Sequence, residues 1–275
     1  MKLPLVLSIT SGKGGVGKTN ISANLAYTLA KRGKKVLLLD ADLGLANVDV
    51  VLGIAPEYNL FHLFHAGIPL SKIIHPTRYG FSILPASSGA SEMLNLTTGQ
   101  KLELLESMDG LEESLDYLIV DTGAGINDNV VYFNLAAQER VVVLTPEPTS
   151  LTDAYAMIKV MNQNHEVRHF KVVVNMAPDK KSALEVYKRL YNATDHFLAG
   201  VSLELAGFIP RDPAVRNAVI NQRPFCEEAP GGPACKAMQQ LADAVQKWNV
   251  PRQLDGNIKF FWKQLLFQGQ DTAQA

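Results

Sequence analysis

Short, continuously apolar runs alternate along this chain with longer stretches in which apolar residues return at helical spacing. The runs fall at Leu5–Thr10, Lys35–Leu39, Phe81–Leu84, Tyr117–Val120, Arg140–Thr145, Lys171–Asn175 and Leu205–Ile209. Most carry no polar alternation, which predicts strands covered on both faces. The helical repeat after the first run is the clearest: Ile21, Leu25 and Leu29 share a face, with Ala23, Ala26 and Ala30 between them. Strands and helices in this alternation predict an α/β fold, a doubly wound and mostly parallel sheet. Ligands of such sheets bind beyond the carboxyl ends of the strands. The polar clusters fall there: residues 12–19 after the first run, Asp40 and Asp42 after the second, Asp121 after the fourth.

The pattern predicts one α/β domain over residues 1–247. A linker follows at Trp248–Gly256, broken by Pro251, Asp255 and Gly256, and the tail at 269–275 is polar. Between them, residues 257–268 predict an amphipathic helix with Ile258, Phe261, Trp262, Leu265 and Leu266 on one stripe. Two readings of that stripe stand open. It packs on the domain's own core, or it lies in a membrane interface with Lys259 and Lys263 near anionic headgroups.

Composition narrows the classes. The chain has 275 residues, 47% hydrophobic and 19% charged, with a formal net charge of −1. That charge gives no general attraction to nucleic acid or anionic lipid, so any such binding needs a local patch. No apolar run reaches the ~18 residues a spanning helix requires. Met1-Lys2-Leu3-Pro4 leads directly into the first strand, and no secretory leader is expected. Cys226 and Cys235 predict a reduced pair rather than a disulfide framework. His62 and His65 share a helical face without a third ligand nearby, and are read as structural or exposed.

Residues Gly12, Lys13, Gly14, Gly15, Val16, Gly17, Lys18 and Thr19 match the phosphate-loop pattern, between a strand and a helix as its chemistry needs. Backbone N–H groups of such a loop face phosphate oxygens at a helix N-terminus. Lys18 would neutralise the β- and γ-phosphates, and the Thr19 hydroxyl would hold Mg²⁺. Asp40 and Asp42, two apart on an extended segment, point the same way. One of them can reach the Mg²⁺ shell while the other orients a water. Asp121, after Leu118-Ile119-Val120, has the Walker B arrangement for Mg²⁺. Asn175, Pro210 and Asp212 follow later strands and read either as adenine contacts or as ordinary turn residues.

Lys13 narrows the pattern further. The run Ser11 to Thr19 resembles the deviant Walker A box of the MinD/ParA group of ATPases. That resemblance implies a P-loop NTPase fold, ATP or ADP with Mg²⁺ as ligands, and an ATP-driven homodimer in which Lys13 reaches the nucleotide of the other subunit. It implies Lys13, Lys18 and Asp42 as catalytic residues, with Asp42 polarising the attacking water. Asn47 falls in the same switch segment, and the resemblance favours Asn175 as an adenine contact. The stretches Gly17–Asn20, Asp42–Asp49, Asp121–Ile126 and Glu147–Tyr155 are most similar to the flagellar FlhG/FleN/YlxH branch, with Asn20 where MinD proteins have a second threonine. Membership there implies control of flagellar number and placement from the inner face of the cytoplasmic membrane, with a polar position in some members. Its partners would be a flagellar SRP-type GTPase, flagellar switch proteins or transcription regulators. Many such proteins carry an N-terminal activator extension, which this chain is not expected to have. A MinD-like role in division-site selection and a ParA-like role in DNA partitioning are the alternatives, and specific DNA binding is not expected.

Overall fold

A computed structural model describes residues 4–42, 46–86 and 115–248. The apolar runs form one eight-stranded sheet in the order β3-β4-β2-β5-β1-β6-β7-β8. The strands are β1 (Leu5–Ser11), β2 (Val36–Ala41), β3 (His75–Pro76), β4 (Ser82–Leu84), β5 (Tyr117–Ala124), β6 (Glu139–Leu144), β7 (His169–Ala177) and β8 (Ser202–Pro210). Every pairing is parallel except β3 with β4. The predicted doubly wound sheet is thus present, with one unpredicted addition. Two residues ending in proline give no strand pattern, and β3 exists only because it lies along β4 at the edge of the sheet.

Helices cover both faces. Those that matter for the site are α1 (Lys18–Lys31), α2 (Val48–Leu52), α5 (Asp128–Ala136), α6 (Pro148–His165), α8 (Pro213–Ile220) and α10 (Pro233–Val245). Between them come α3 (Leu60–Ala66), α4 (Leu70–Ile73), α7 (Lys180–Phe197) and α9 (Phe225–Glu228). Alternate residues of β1 feed opposite layers. Leu5, Leu7 and Ile9 pack with Ile21, Leu25 and Leu29 of α1 and with Met238 and Leu241 of α10, while Val6 joins the opposite layer with Phe133. Burial of this kind is worth roughly 1.5–3 kcal/mol per large side chain, which is why the apolar runs set the strand positions.

His62 completes a capping box with Asn59 at the start of α3, and His65 stacks on Phe61 with ring centres 4.0 Å apart. Cys226 and Cys235 are buried free thiols. Trp248 packs against the core, with the Lys171 ammonium 5.1 Å from its ring. The amphipathic stretch 257–268 and the tail lie outside the described residues. No helix among those described is long and apolar enough to cross a membrane.

Candidate functional site

The carboxyl ends of β1, β2, β5, β6 and β7 converge around the N-terminus of α1. Strand β5 runs further than its apolar core predicts, through Asp121 to Ala124, because Asp40 and Ala41 of β2 pair with Asp121 and Thr122. Two buried carboxylates therefore stand side by side on adjacent strands. Burial raises both, Asp121 to about 6 and Asp40 to about 8, and the Asp121 charge adds to the shift on Asp40. The hydroxyls of Thr19 and Ser22 oppose the shift on Asp121, and Ser22 Oγ donates to Asp121 Oδ1 at 2.8 Å. Asp40 accepts backbone N–H groups at both oxygens: Asp42 at 3.1 Å on one, Asn47 at 3.0 Å and Val48 at 3.1 Å on the other. Asp40 thus holds the start of α2, where Asn47 is the N-cap residue.

The phosphate loop bridges these carboxylates and α6. Lys18 is 8% exposed, and its ammonium donates to Ser11 Oγ at 2.9 Å. Burial lowers its pKa, while the charges of Asp121 and Asp42 oppose that. Ser11 in turn donates to the Lys13 carbonyl at 2.7 Å. Lys13 lies within its own chain, its ammonium 2.7 Å from Glu147 Oε2 and 2.9 Å from Thr149 Oγ1 at the start of α6. Gly12 packs directly on α6, so closely that a Cβ there would lie 2.1 Å from the Asp153 carbonyl oxygen. Gly17 starts α1 at φ 91°, a left-handed conformation, and has no side chain to occupy the N–H groups of the first turn. Asn175 closes against the loop from β7: its amide donates to the Val16 carbonyl at 2.7 Å, and its oxygen accepts the Met176 N–H at 2.9 Å.

Beside the loop, Asp42 faces the end of β5 that follows Asp121. A Cβ on Gly123 would lie 3.4 Å from Asp42 Oδ1. The Asn20 carbonyl accepts the Asn24 amide at 2.8 Å within α1. Pro210 ends β8 opposite Ala177. Asp212 caps two helices, accepting the Ala214 N–H of α8 at 2.9 Å and the Ala234 N–H of α10 at 3.2 Å. Residues 43–45 lie outside those described. Sequence reading missed Ser11, Ser22, Glu147 and Thr149, because each acts through a neighbour that only the fold supplies. Ser22 had one usable signal, since it lies one helical turn from Lys18 and Thr19.

Among the described residues no three His, Cys, Asp or Glu side chains are grouped to hold a metal. The Thr19 hydroxyl and the Asp121 carboxylate instead offer hard oxygen donors beside a phosphate loop, with Asp40 behind them on backbone N–H groups, a set that suits Mg²⁺ completed by phosphate and water. The N-terminus of α1, the turned backbone of residues 12–17 and the Lys18 ammonium suit a nucleotide's phosphates.

These elements define a P-loop NTPase of the kind with a second lysine in its loop. The chain belongs to the ParA family of P-loop NTPases, whose model, described as NUBPL iron-transfer P-loop NTPase, matches residues 2–246. It is 43% identical over 95% of its length to the antiactivator FleN of Pseudomonas aeruginosa, covering 93% of that protein. It is 34% identical over 94% of its length to the flagellum site-determining protein YlxH of Helicobacter pylori, covering 89% of that chain. Among solved structures, the septum site-determining protein MinD of Pyrococcus horikoshii, complexed with Mg-ADP, superposes with a TM-score of 0.71 at 26% identity, over 89% of this chain and 97% of that one. The resemblance to the MinD/ParA group, and within it to the FleN/YlxH branch, therefore holds along nearly the whole chain.

Proposed function

We propose that this protein is a Mg²⁺-dependent, nucleotide-switched ATPase that regulates flagellar number and placement. The observation that carries the reading is the 43% identity to FleN over 95% of the chain, joined to a complete phosphate loop. Residues 12–19 cradle the phosphates, and Lys18 neutralises charge on the β- and γ-oxygens. Thr19 and Asp121 hold the metal, and Asp40 acts one layer out because both its oxygens already accept backbone N–H groups. Mg²⁺ held by those residues would supply positive charge to offset the charge that develops on the phosphates. Asp42 orients the attacking water, and Asn175, Pro210 and Asp212 border the adenine. In an ATP-bound homodimer Lys13 leaves Glu147 and Thr149 for the nucleotide of the other subunit. The amphipathic stretch 257–268 attaches that dimer to the anionic inner face of the cytoplasmic membrane. The partners are flagellar: an SRP-type GTPase, switch proteins or a transcription regulator. Division-site selection is the second reading, favoured by the match to MinD at a TM-score of 0.71.

Two measurements test this. Lys18→Ala should lose tight Mg-ATP binding, and Asp42→Ala should keep it while losing turnover. Parental binding by the first or parental turnover by the second removes the assignment concerned. Deleting the gene and counting flagella and minicells separates the two biological roles. Altered flagellar number with normal division supports the flagellar role, and minicells with normal flagella overturn it.

A further inference from the structure

Beneath the phosphate loop, Ser8, Thr10, Thr122 and Asn134 form a buried run of polar side chains. Asn134 lies within α5 and is 0% exposed. Its amide nitrogen donates to Thr10 Oγ1 at 3.0 Å and to the Val130 carbonyl at 2.7 Å. Its amide oxygen accepts the Ser8 hydroxyl at 2.8 Å. An apolar residue there would pack in the core without desolvating an amide, so a buried asparagine needs a reason.

The reason lies in what Thr122 can do with a single proton. Its hydroxyl has three acceptors in reach: the Ile9 carbonyl at 3.1 Å, Thr10 Oγ1 at 3.0 Å and the Gly123 carbonyl at 3.0 Å. Thr10 points its own proton at the Met157 sulfur at 3.8 Å and has two lone pairs; Asn134 fills one and so orients the other toward Thr122, where it competes with the carbonyls for the Thr122 proton. The Gly123 carbonyl lies on β5, two residues after Asp121. Gly123 stands beside Asp42, and two residues on Gly125 donates its N–H to the Ser11 carbonyl at 2.9 Å. Thus β1, which leads into the phosphate loop, β5, which carries Asp121, and α5, which follows β5, meet at these four side chains.

We infer that Asn134 is a positioning residue: through Thr10 and Thr122 it sets where Gly123 stands beside Asp42, and so couples α5 to the phosphate loop. Its effect on turnover rests on the hydrolytic role proposed for Asp42; its effect on Gly123 does not. The test is hydrogen exchange of the peptide spanning residues 121–127 in Asn134→Leu, Thr122→Val and the double variant, with Mg-ATP affinity and kcat measured on the same proteins. Losing one buried partner should speed exchange at Gly125 and lower kcat, each about ten-fold. Mg-ATP affinity should stay within about two-fold, because the phosphate cradle is untouched. The double variant should be no worse than the worse single one, since both break the same run. Unchanged exchange in Asn134→Leu, or additive effects in the double variant, overturns the inference. Faster exchange with parental kcat overturns its link to hydrolysis. A parent chain that hydrolyses no ATP sinks the proposed ATPase activity instead, and the exchange result still decides the coupling. If Asn134→Leu does not fold, Thr122→Val against Thr122→Ser decides: valine should speed exchange, and serine, which restores the hydroxyl, should return it to the parental rate.

Discussion

Asp121 and Asp40 are ordinary aspartates by sequence, and adjacent buried strands change their acid–base behaviour. Both bind a proton more tightly folded than unfolded, at about 6 and about 8 against an ordinary value of 3.8. A raised folded-state pKa contributes stability that is complete below the unfolded value and lost as pH rises through the folded one. Without ligands the melting temperature should therefore fall between about pH 4 and pH 8, with Asp121→Asn flattening the lower part of that slope. A divalent cation held by Asp121 would compete with its proton, so Mg²⁺ affinity should weaken as pH falls below about 6, as expected when a ligand must be deprotonated. Melting curves and Mg²⁺ titrations across that range check both. A pH-independent Mg²⁺ affinity would exclude Asp121 from the shell. Lys18 was legible in the sequence because its motif has fixed spacing, and Asp121 because it ends an apolar run. Ser11 and Glu147 were not, because they reach the two lysines through space.

At the scale of elements, the phosphate loop is gripped from the side by α6. Gly12 would belong to any phosphate loop, yet its tightest contact is with the Asp153 carbonyl, at 2.1 Å from the position a Cβ would take. Gly12→Ala must push α6 and the loop apart, and overpacking of this kind costs about 1–3 kcal/mol. Nothing lies within 4 Å of a Cβ built on Gly14. Calorimetry should therefore show a lower melting temperature for Gly12→Ala and a parental one for Gly14→Ala. Equal melting temperatures would mean that the loop does not rest on α6. The same scale explains where the predicted strands fell short. An apolar run marks the core of a strand, whereas its last residues are held by the neighbouring ladder, and β5 continues through Asp121 because β2 supplies partners.

For the whole molecule, two expectations join nucleotide state to assembly and attachment. The Lys13–Glu147 pair is partly exposed and worth about 0–1 kcal/mol, too little to hold Lys13 against a nucleotide's phosphates. Light scattering of Asp42→Ala with ATP should report a mass near twice 30.0 kDa, and Lys13→Ala in that background should return it to the monomer. A monomer with ATP bound in Asp42→Ala would rule out the sandwich dimer. A single amphipathic stretch as short as 257–268 would bind a membrane only marginally, and two copies on a dimer would gain avidity. Co-sedimentation with anionic vesicles should then need both ATP and the residues after Gly256. Equal sedimentation of the truncated chain would dismiss the helix as anchor, and equal sedimentation with ADP would dismiss the switch.

The sequence by itself determined the layered α/β architecture and the place of the phosphate chemistry. Burial follows from local apolar runs, and a phosphate loop is a contiguous stretch whose glycines and lysine act together. Only the tertiary structure decided which side chains stand beside which across the strands. It paired Asp40 with Asp121, closed Asn175 onto Val16 and Lys13 onto Glu147, and ran Ser8, Thr10, Thr122 and Asn134 together beneath the loop. Those pairings join residues from 81 (Asp40 to Asp121) to 159 (Val16 to Asn175) positions apart, and they depend on strand order and register, to which no local pattern along the chain is sensitive.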